Sequence, residues 1–418
     1  MRLSRGLLAH ASAALAGLLE LSGPADELLS RFFRAHRALG QHDRAFIAES
    51  AFAVLRRRRS LEAAAGSGEP RALLVAALVR VQGLSGRALE AALEPGERAL
   101  VARLKTFSQE TRPPAERADL PDWLWERLAA ELGEDEAMRA AQGLLNPAPL
   151  DLRVNLARTA RDDALAALGK DGIAAEATRY SPAGIRLAAK PAINRHPLFR
   201  DGLVEVQDEG SQLLAWLLAP RRGEMVADYC AGAGGKTLAL AMLMRGAGRV
   251  YAMDISAKRL AALAPRAARA GITNVNSIAI TGEADSRVKR LAEKLDRVLV
   301  DAPCSGFGTL RRNPDLKWRH SSAAVAELAQ KQARILRSAA RLVKPGGRLV
   351  YATCSILREE NEAIAQAFLG AQPQFAPLSC AGLLAAQRIP LDTGHALRLW
   401  PHLHGTDGFF AAAFERRP

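Results

Sequence analysis

The chain has 418 residues, 49% of them hydrophobic and 24% charged, and carries a formal net charge of +14 at pH 7. These fractions exclude a largely disordered protein, and the length predicts two or three domains. The four cysteines are too few for a disulfide framework and form no CxxC pair, so we expect no structural metal site. No apolar run is long enough to span a membrane, and polar residues interrupt the apolar start of the chain, so we expect a cytoplasmic protein.

The first part of the chain is predicted to be helical and nearly neutral. Apolar residues recur at three- and four-residue spacings through residues 15–55, a pattern typical of amphipathic helices. Residues 1–145 contain 20 basic and 19 acidic residues, whereas residues 146–418 contain 38 and 25. Basic charge favours a nucleic-acid partner, although an arginine-rich composition is a second explanation. The excess charge therefore lies with the second part of the chain.

The pattern changes twice further along the chain. Short extended runs flank a single helix within residues 141–203, which predicts a small α+β module. From residue 204 onward strands and helices alternate, which predicts a parallel sheet covered on both faces. We therefore predict domains at residues 1–140, 141–203 and 204–418.

A loop of small residues follows the predicted strand at residues 225–230. It lacks the glycines that a Walker loop or a dinucleotide fingerprint requires. Small residues that lead into a helix still allow a ligand to approach the backbone and the helix N-terminus. The predicted cofactor-binding residues of this region are Cys230, Ala231, Gly232, Ala233, Gly234, Gly235 and Lys236, and Lys236 is also a candidate catalytic residue.

Acidic residues end the strands that follow. Asp254, Asp285 and Asp301 each lie at or just after a predicted strand end, and Glu283 is an alternative to Asp285 because the local register is uncertain. Such acids suit ribose hydroxyls and an amine, and they repel a triphosphate when no metal is present. They therefore favour S-adenosylmethionine as cofactor. The alternative is that these acids only cap helices.

Two cysteines follow two predicted strands, at the edge where open α/β sheets bind ligands. A single free cysteine is most often a small buried hydrophobic residue, but Cys304 and Cys354 both lie beside the predicted cofactor loop. Methylation at C5 of a pyrimidine needs such a pair. One thiolate adds to C6, an acid such as Asp301 steadies the charge near N3, and a base then removes the C5 proton.

Several of these motifs occur together in one known family. Residues 206–212, 230–237, 301–306, 311–318, 353–355 and 405–410 resemble the bacterial RNA (cytosine-5) methyltransferases of the RsmB/Sun group. The resemblance implies an α/β fold, with a class I (Rossmann-like) methyltransferase domain preceded by an all-α NusB-like domain and a small α+β module. It implies that Cys354 is the nucleophile, that Cys304 releases the product, and that Asp254, Asp285 and Asp301 contact S-adenosylmethionine. The loop departs from the family at residues 232 and 233, where the commoner pattern is Ala-Pro.

RNA contacts are predicted at Arg153 in the small module and at Arg311, Arg312 and Lys317 after Cys304. Such cations position RNA through its phosphates without specifying sequence, and a surface loop with incidental charge is the alternative. The cysteine spacing and the lack of a long apolar run lead us to expect neither a metal nor a membrane partner. By the resemblance we expect a monomer that methylates a cytidine in small-subunit ribosomal RNA. Transfer RNA as substrate and a non-catalytic RNA-binding assembly factor are the alternatives.

Overall fold

The computed structural model describes residues 3–418, which form two compact units. The first unit comprises residues 3–147 together with Thr309–Ser322, and the second comprises Ala148–Gly308 and Ala323–Pro418. The segment Thr309–Ser322, which follows the Cys304 loop in sequence, therefore belongs to the first unit. Among the residues described, no helix combines the length and hydropathy needed to cross a membrane.

The helices account for most of the first unit and cover the sheets of the second. In chain order they are α1 (Arg5–Leu19), α2 (Ala25–Ala35), α3 (Gln41–Arg56), α4 (Arg58–Ala65), α5 (Pro70–Arg80), α6 (Gly86–Leu89), α7 (Glu97–Thr106), α8 (Pro114–Arg117), α9 (Asp122–Leu132), α10 (Glu134–Leu145), α11 (Arg161–Lys170), α12 (Pro197–Arg200), α13 (Glu209–Leu218), α14 (Gly235–Leu243), α15 (Ala257–Ala261), α16 (Leu263–Ala270), α17 (Ser286–Lys289), α18 (Leu316–Arg319), α19 (Ser322–Ala340), α20 (Glu362–Ala371), α21 (Cys380–Ala386) and α22 (Pro401–His404).

The first unit is all-helical and fits a NusB-like domain, as the sequence predicted. Its helix ends follow local rules: the Ser4 side chain accepts from the amide of Leu7 at the start of α1, and Pro70 is the first residue of α5. Buried apolar residues of α1, α3, α5 and α7 form a shared core, in which Leu15 is fully buried. On α5 all residues from 73 to 78 are fully buried, so this helix is surrounded on all sides.

The strands belong to two sheets of the second unit. In chain order they are β1 (Leu150–Val154), β2 (Ala175–Ala177), β3 (Gly184–Leu187), β4 (Val204–Val206), β5 (Met225–Asp228), β6 (Arg249–Asp254), β7 (Val275–Ala279), β8 (Leu295–Asp301), β9 (Val343–Thr353), β10 (Phe375–Leu378), β11 (Leu397–Leu399) and β12 (Phe409–Arg416).

The small sheet has the order β2-β3-β1-β4, and every neighbouring pair is antiparallel. Apolar side chains of β1 and β3 pack with Ala164 and Leu168 of α11, so this part is the α+β layer that the sequence predicted. Its last strand, β4, lies just beyond residue 203, where the sequence analysis began the methyltransferase domain. The sequence pattern of alternating strands and helices does not reveal that β4 is antiparallel to β1 and so belongs to the small sheet.

The large sheet confirms the Rossmann-like prediction. Its order is β7-β6-β5-β8-β9-β12-β10, with β11 paired to β12. Strands β5 to β9 are parallel and β12 is antiparallel to β9. The chain moves outward from β5 to β6 and β7, then returns to the other side of β5 at β8. Open sheets of this kind bind ligands at the carboxyl ends of the strands beside such a reversal.

Candidate active site

The loop after β5 leads the chain into helix α14. Gly232 and Gly234 adopt left-handed backbone angles, with φ of 54° and 85°. A Cβ atom on Gly234 would lie 2.2 Å from Cδ1 of Leu263, so glycine alone fits at this position. The amide of Gly232 donates to Oδ2 of Asp254 at 2.7 Å. The loop is therefore tied to the end of β6, next to its own strand.

A cavity of about 620 Å³ opens at the carboxyl ends of the parallel strands. It is large enough for a nucleoside with an attached amino acid. Six of the residues singled out in the sequence lie in its wall: Cys230, Asp254, Glu283, Asp301, Cys304 and Cys354. The other predicted residues of the loop do not line the cavity. They form the turn and the start of α14: Ala231, Gly232, Ala233, Gly234, Gly235 and Lys236.

The structure places Glu283 in the cavity wall and gives Asp285 other partners. Asp285 caps α17 by accepting from the amide of Arg287 at 2.8 Å, and its other oxygen accepts from the amide of Thr281 at 2.8 Å. The Arg287 guanidinium and these amides hold the pKa of the Asp285 carboxyl well below its usual range. Of the two acids that the sequence left as alternatives, Glu283 is thus the one that faces the cavity.

The two cysteine thiols lie side by side. The distance between Sγ of Cys304 and Sγ of Cys354 is 3.4 Å. The hydrogen bond to Cys354, reinforced by burial, raises the pKa of the Cys304 thiol well above its usual value. Cys304 is therefore protonated at neutral pH while Cys354 is free of substrate.

A lysine–aspartate pair adjoins these thiols. Nζ of Lys236 donates to Oδ2 of Asp301 at 2.8 Å. Burial opposes the charge of Lys236, but attraction and hydrogen bonding to Asp301, together with Cys354, outweigh it and raise the pKa of the ammonium group. Lys236 is thus a fixed positive charge that interacts with Cys354, although its side chain does not line the cavity.

Comparison with known proteins connects this geometry to a family. The model of the 16S rRNA methyltransferase family RsmB/F matches residues 215–415, and a ferredoxin-like domain of RsmF/B-like proteins matches residues 120–194. A probable ribosomal RNA small subunit methyltransferase B of Synechocystis sp. is 35% identical over 345 residues, or 81% of this chain and 76% of the relative. The chain belongs to the RsmB/F family.

Other relatives agree with this membership. A probable ribosomal RNA small subunit methyltransferase B of Bacillus subtilis is 35% identical, and the match covers 71% of this chain and 66% of the relative's length. The crystal structure of PH0851 covers 100% of both chains with a TM-score of 0.79 at 27% identity. A methyltransferase homolog from Pyrococcus horikoshii has a TM-score of 0.63 at 29% identity, and the match covers 74% of this chain and 100% of that one.

S-adenosylmethionine is the cofactor of an RsmB/F methyltransferase, and the residues of the cavity fit it. Asp254 is 6% exposed and lies at the end of β6, where a carboxylate can accept from a ribose diol. The neighbouring Ile255 is 60% exposed and offers an apolar surface to an adenine ring. Within residues 3–418, no group of His, Cys, Asp or Glu side chains has the arrangement of a metal site.

Two predicted RNA-binding residues lie inside the protein. Lys317 is 1% exposed, and its Nζ donates at 2.7 Å to the carbonyl of Arg56 at the end of α3. Arg153 is 4% exposed, donates to the carbonyl of Gly235 at 2.8 Å, and has its pKa lowered to about 9 by burial. Neither the Arg153 guanidinium nor the Lys317 ammonium group is available to an RNA phosphate in this structure, so the prediction that these two residues contact RNA is wrong.

The other two predicted RNA contacts have different environments. Arg311 is 6% exposed, and its backbone carbonyl accepts from Nη2 of Arg56 at 3.1 Å. Arg312 is half-buried and stays a candidate for RNA contact. Of the three predicted basic contacts after Cys304, Arg311 and Lys317 are buried, whereas Arg312 keeps part of its surface exposed.

Sequence reasoning missed two features of this site. Ile255 was not singled out, although an apolar residue directly after the acid at the end of β6 was a usable signal. Glu360, which is fully buried, connects the two cysteine loops, and its neighbour Asn361 supports the Cys354 loop. The acidic run at residues 359–362 gave no such signal, because it is typical of an exposed helix start.

Proposed function

We propose that this RsmB/F family member transfers a methyl group from S-adenosylmethionine to C5 of a cytosine in small-subunit ribosomal RNA, through a covalent bond between Cys354 and C6. The observation that carries the proposal is the pair of thiols 3.4 Å apart in the wall of a cavity that suits the cofactor. The names of the Synechocystis and Bacillus relatives support ribosomal RNA over transfer RNA as substrate.

The proposal assigns a group of the protein to each step. The Cys354 thiolate adds to C6, so that C5 becomes nucleophilic enough to take the methyl group from the sulfonium. The pair formed by Lys236 and Asp301 supplies a proton and a countercharge for N3 of the ring. Cys304, after losing its own proton to solvent, takes the C5 proton as a thiolate. N3 returns its proton to the Lys236–Asp301 pair, and the bond between C6 and the Cys354 sulfur breaks to regenerate the Cys354 thiolate and the aromatic ring.

The raised pKa of Cys304 agrees with this order of events. Its main cause is the hydrogen bond to Cys354, and the charge of Cys354 adds to it. Once the Cys354 sulfur is bonded to C6, it is neither charged nor a partner for a hydrogen bond of that kind. Cys304 then ionises more readily, at the stage where a base is needed. Cys304 therefore stays protonated, and inactive as a base, until the covalent intermediate has formed.

A pair of cysteine variants tests the proposal. The Cys304→Ala protein, incubated with S-adenosylmethionine and small-subunit ribosomal RNA, is expected to accumulate a protein–RNA adduct that survives denaturant. The Cys354→Ala protein is expected to form none. Cys380→Ala serves as the matched control, because Cys380 is fully buried and its thiol meets the carbonyl of Ala411 outside the cavity. It should leave both methylation and adduct level unchanged.

Product analysis separates the remaining alternatives. Nucleosides from the wild-type reaction should contain 5-methylcytidine, with ribosomal RNA modified in preference to transfer RNA. Absence of 5-methylcytidine with either RNA would refute the cytosine-5 assignment. An adduct formed by Cys354→Ala instead of Cys304→Ala would mean that the two thiols exchange roles.

A further inference from the structure

A single buried carboxylate joins the loops that carry the two cysteines. Oε1 of Glu360 accepts from the amide of Ser305 at 2.9 Å, and Oε2 accepts from the hydroxyls of Ser305 and Ser355 at 2.5 Å each. Ser305 directly follows Cys304, and Ser355 directly follows Cys354. Glu360 is fully buried, so these bonds form away from water, where they are electrostatically stronger.

Helix α19 completes the set of donors. Nε2 of Gln332 donates to Oε1 of Glu360 at 2.9 Å and to the carbonyl of Pro303 at 3.0 Å. Oε1 and Oε2 thus accept two hydrogen bonds each, which matches the acceptor capacity of an ionised carboxylate. Pro303 directly precedes Cys304, so the Cys304 loop is held on both sides of the thiol through Glu360 and Gln332.

Asn361 holds the other loop by itself. Its Oδ1 accepts from the hydroxyl of Thr353 at 2.5 Å, and its Nδ2 donates to the carbonyl of Ser355 at 3.1 Å. These two residues are the immediate neighbours of Cys354 on either side. The Cys354 loop therefore has a support that does not depend on Glu360, whereas the contacts of Ser305 described here converge on Glu360 and Ser355.

We propose that Glu360 is a positioning residue that sets the Cys304 thiol against Cys354, and that Asn361 positions Cys354 alone. This inference rests on the proposed function. The base must meet the C5 proton of a ring already bonded to Cys354, so the two sulfurs need a fixed separation. A displacement of about 1 Å at a reacting group costs on the order of 100-fold in rate. Loss of Glu360 should therefore impair release, and loss of Asn361 should impair addition.

The test uses Glu360→Gln and Asn361→Ala in the full chain, with cysteines intact. Glu360→Gln keeps the size of the side chain but turns one acceptor oxygen into a donor that faces other donors. We expect its kcat for methylation to fall about 100-fold. We also expect a denaturant-resistant adduct, absent from wild type, to accumulate. Asn361→Ala should lose kcat as well but accumulate no adduct, because addition itself is slowed.

The controls distinguish positioning from general damage. Glu327→Gln changes an exposed glutamate of α19, and Asn276→Ala an exposed asparagine of β7; both should behave as wild type. Glu360 lies outside the cofactor cavity, so the KM for S-adenosylmethionine of Glu360→Gln should stay within about twofold of wild type. The pH profile of Glu360→Gln should also change, since the environment that raises the pKa of Cys304 is altered.

Failure of this inference is separable from failure of the proposed function. If Cys304→Ala gives no adduct in the wild-type background, the covalent mechanism itself is refuted. If that adduct forms but Glu360→Gln turns over normally, or accumulates no adduct, Glu360 does not position Cys304. Equal losses of kcat, cofactor affinity and thermal stability in Glu360→Gln would show a purely structural role and would also overturn the inference.

Discussion

A buried aspartate next to the cofactor loop provides a quantitative test of the electrostatics. Asp228 ends β5 and is fully buried. Its Oδ2 accepts from the hydroxyl of Thr237 at 2.7 Å, but its Oδ1 has no hydrogen-bond partner. Its pKa is raised to about 7, mainly by burial and in smaller part by the nearby Asp301 and Asp254. The ionised form is therefore disfavoured in the folded protein.

The consequence for stability follows from proton linkage. The unfolded chain releases this proton near pH 3.8, whereas the folded chain keeps it until about pH 7. Between these values the folded state binds more protons, so its stability falls as the pH rises, and the loss is complete above pH 7. The difference between the two pKa values corresponds to at most about 4 kcal/mol. Asp228→Asn removes the charge while an amide oxygen can still accept from Thr237.

We therefore expect Asp228→Asn to stabilise the protein at pH 8 but hardly at all at pH 4. Calorimetric scans of the full chain without cofactor measure this. At about 2 °C per kcal/mol for a domain of this size, the gain in unfolding temperature at pH 8 is at most about 8 °C. Glu176→Gln, a change at an exposed residue of β2, is the control and should leave both scans unchanged. An Asn variant with the same gain at both pH values, or a loss at pH 8, would refute the assigned origin of the shift.

Three further predictions concern the loop, the third strand end and the first unit. Gly234→Ala should weaken S-adenosylmethionine binding at least tenfold in a titration, because the added Cβ would meet Leu263. The control Gly223→Ala has a similar φ of 86° but open space around it, so it should show only the effect of backbone strain. Glu283→Gln should raise the dissociation constant for the cofactor, and equal affinity in this variant and wild type would contradict the assignment. Asp285→Ala should instead lower the unfolding temperature, because the side-chain oxygen that caps α17 is lost. Burial lowers the pKa of Lys317 to about 7, so the protein should gain stability from this group as the pH rises from 7 towards 10.5, and Lys317→Met should flatten that dependence in calorimetric scans.

The parts of the site that sequence predicts well are those fixed by strand ends. Cys304 and Cys354 follow apolar strands, and parallel strands end at one edge, so their proximity follows from chain order alone. The choice between Glu283 and Asp285 could not be made in this way. Both residues follow β7 within a few positions, and an aspartate before a short helix is as typical of a helix cap as of a ligand contact.

Buried charge is the part that sequence does not reveal. Glu360 lies in an acidic run that resembles an exposed helix start, and only the tertiary structure brings Ser305, Ser355 and Gln332 to its carboxylate. The same limit applies to net charge. Each lysine or arginine counts equally in the excess of residues 146–418, although Arg153 and Lys317 lie inside the protein.

The position of Lys317 also changes how the first unit is interpreted. The carbonyls of Leu55 and Arg56 at the end of α3 have no partners within their own helix, and they accept from Nε1 of Trp318 and Nζ of Lys317, each at 2.7 Å. Burial opposes the ammonium charge of Lys317, and attraction to Asp119 offsets part of that cost. The segment Thr309–Ser322 thus caps a helix of the first unit, and one of the two capping residues, Lys317, is a predicted RNA contact. Lys317 and Trp318 are therefore explained by contacts within the first unit, where carbonyls at the end of α3 accept their hydrogen bonds and Asp119 attracts the lysine, without an RNA phosphate.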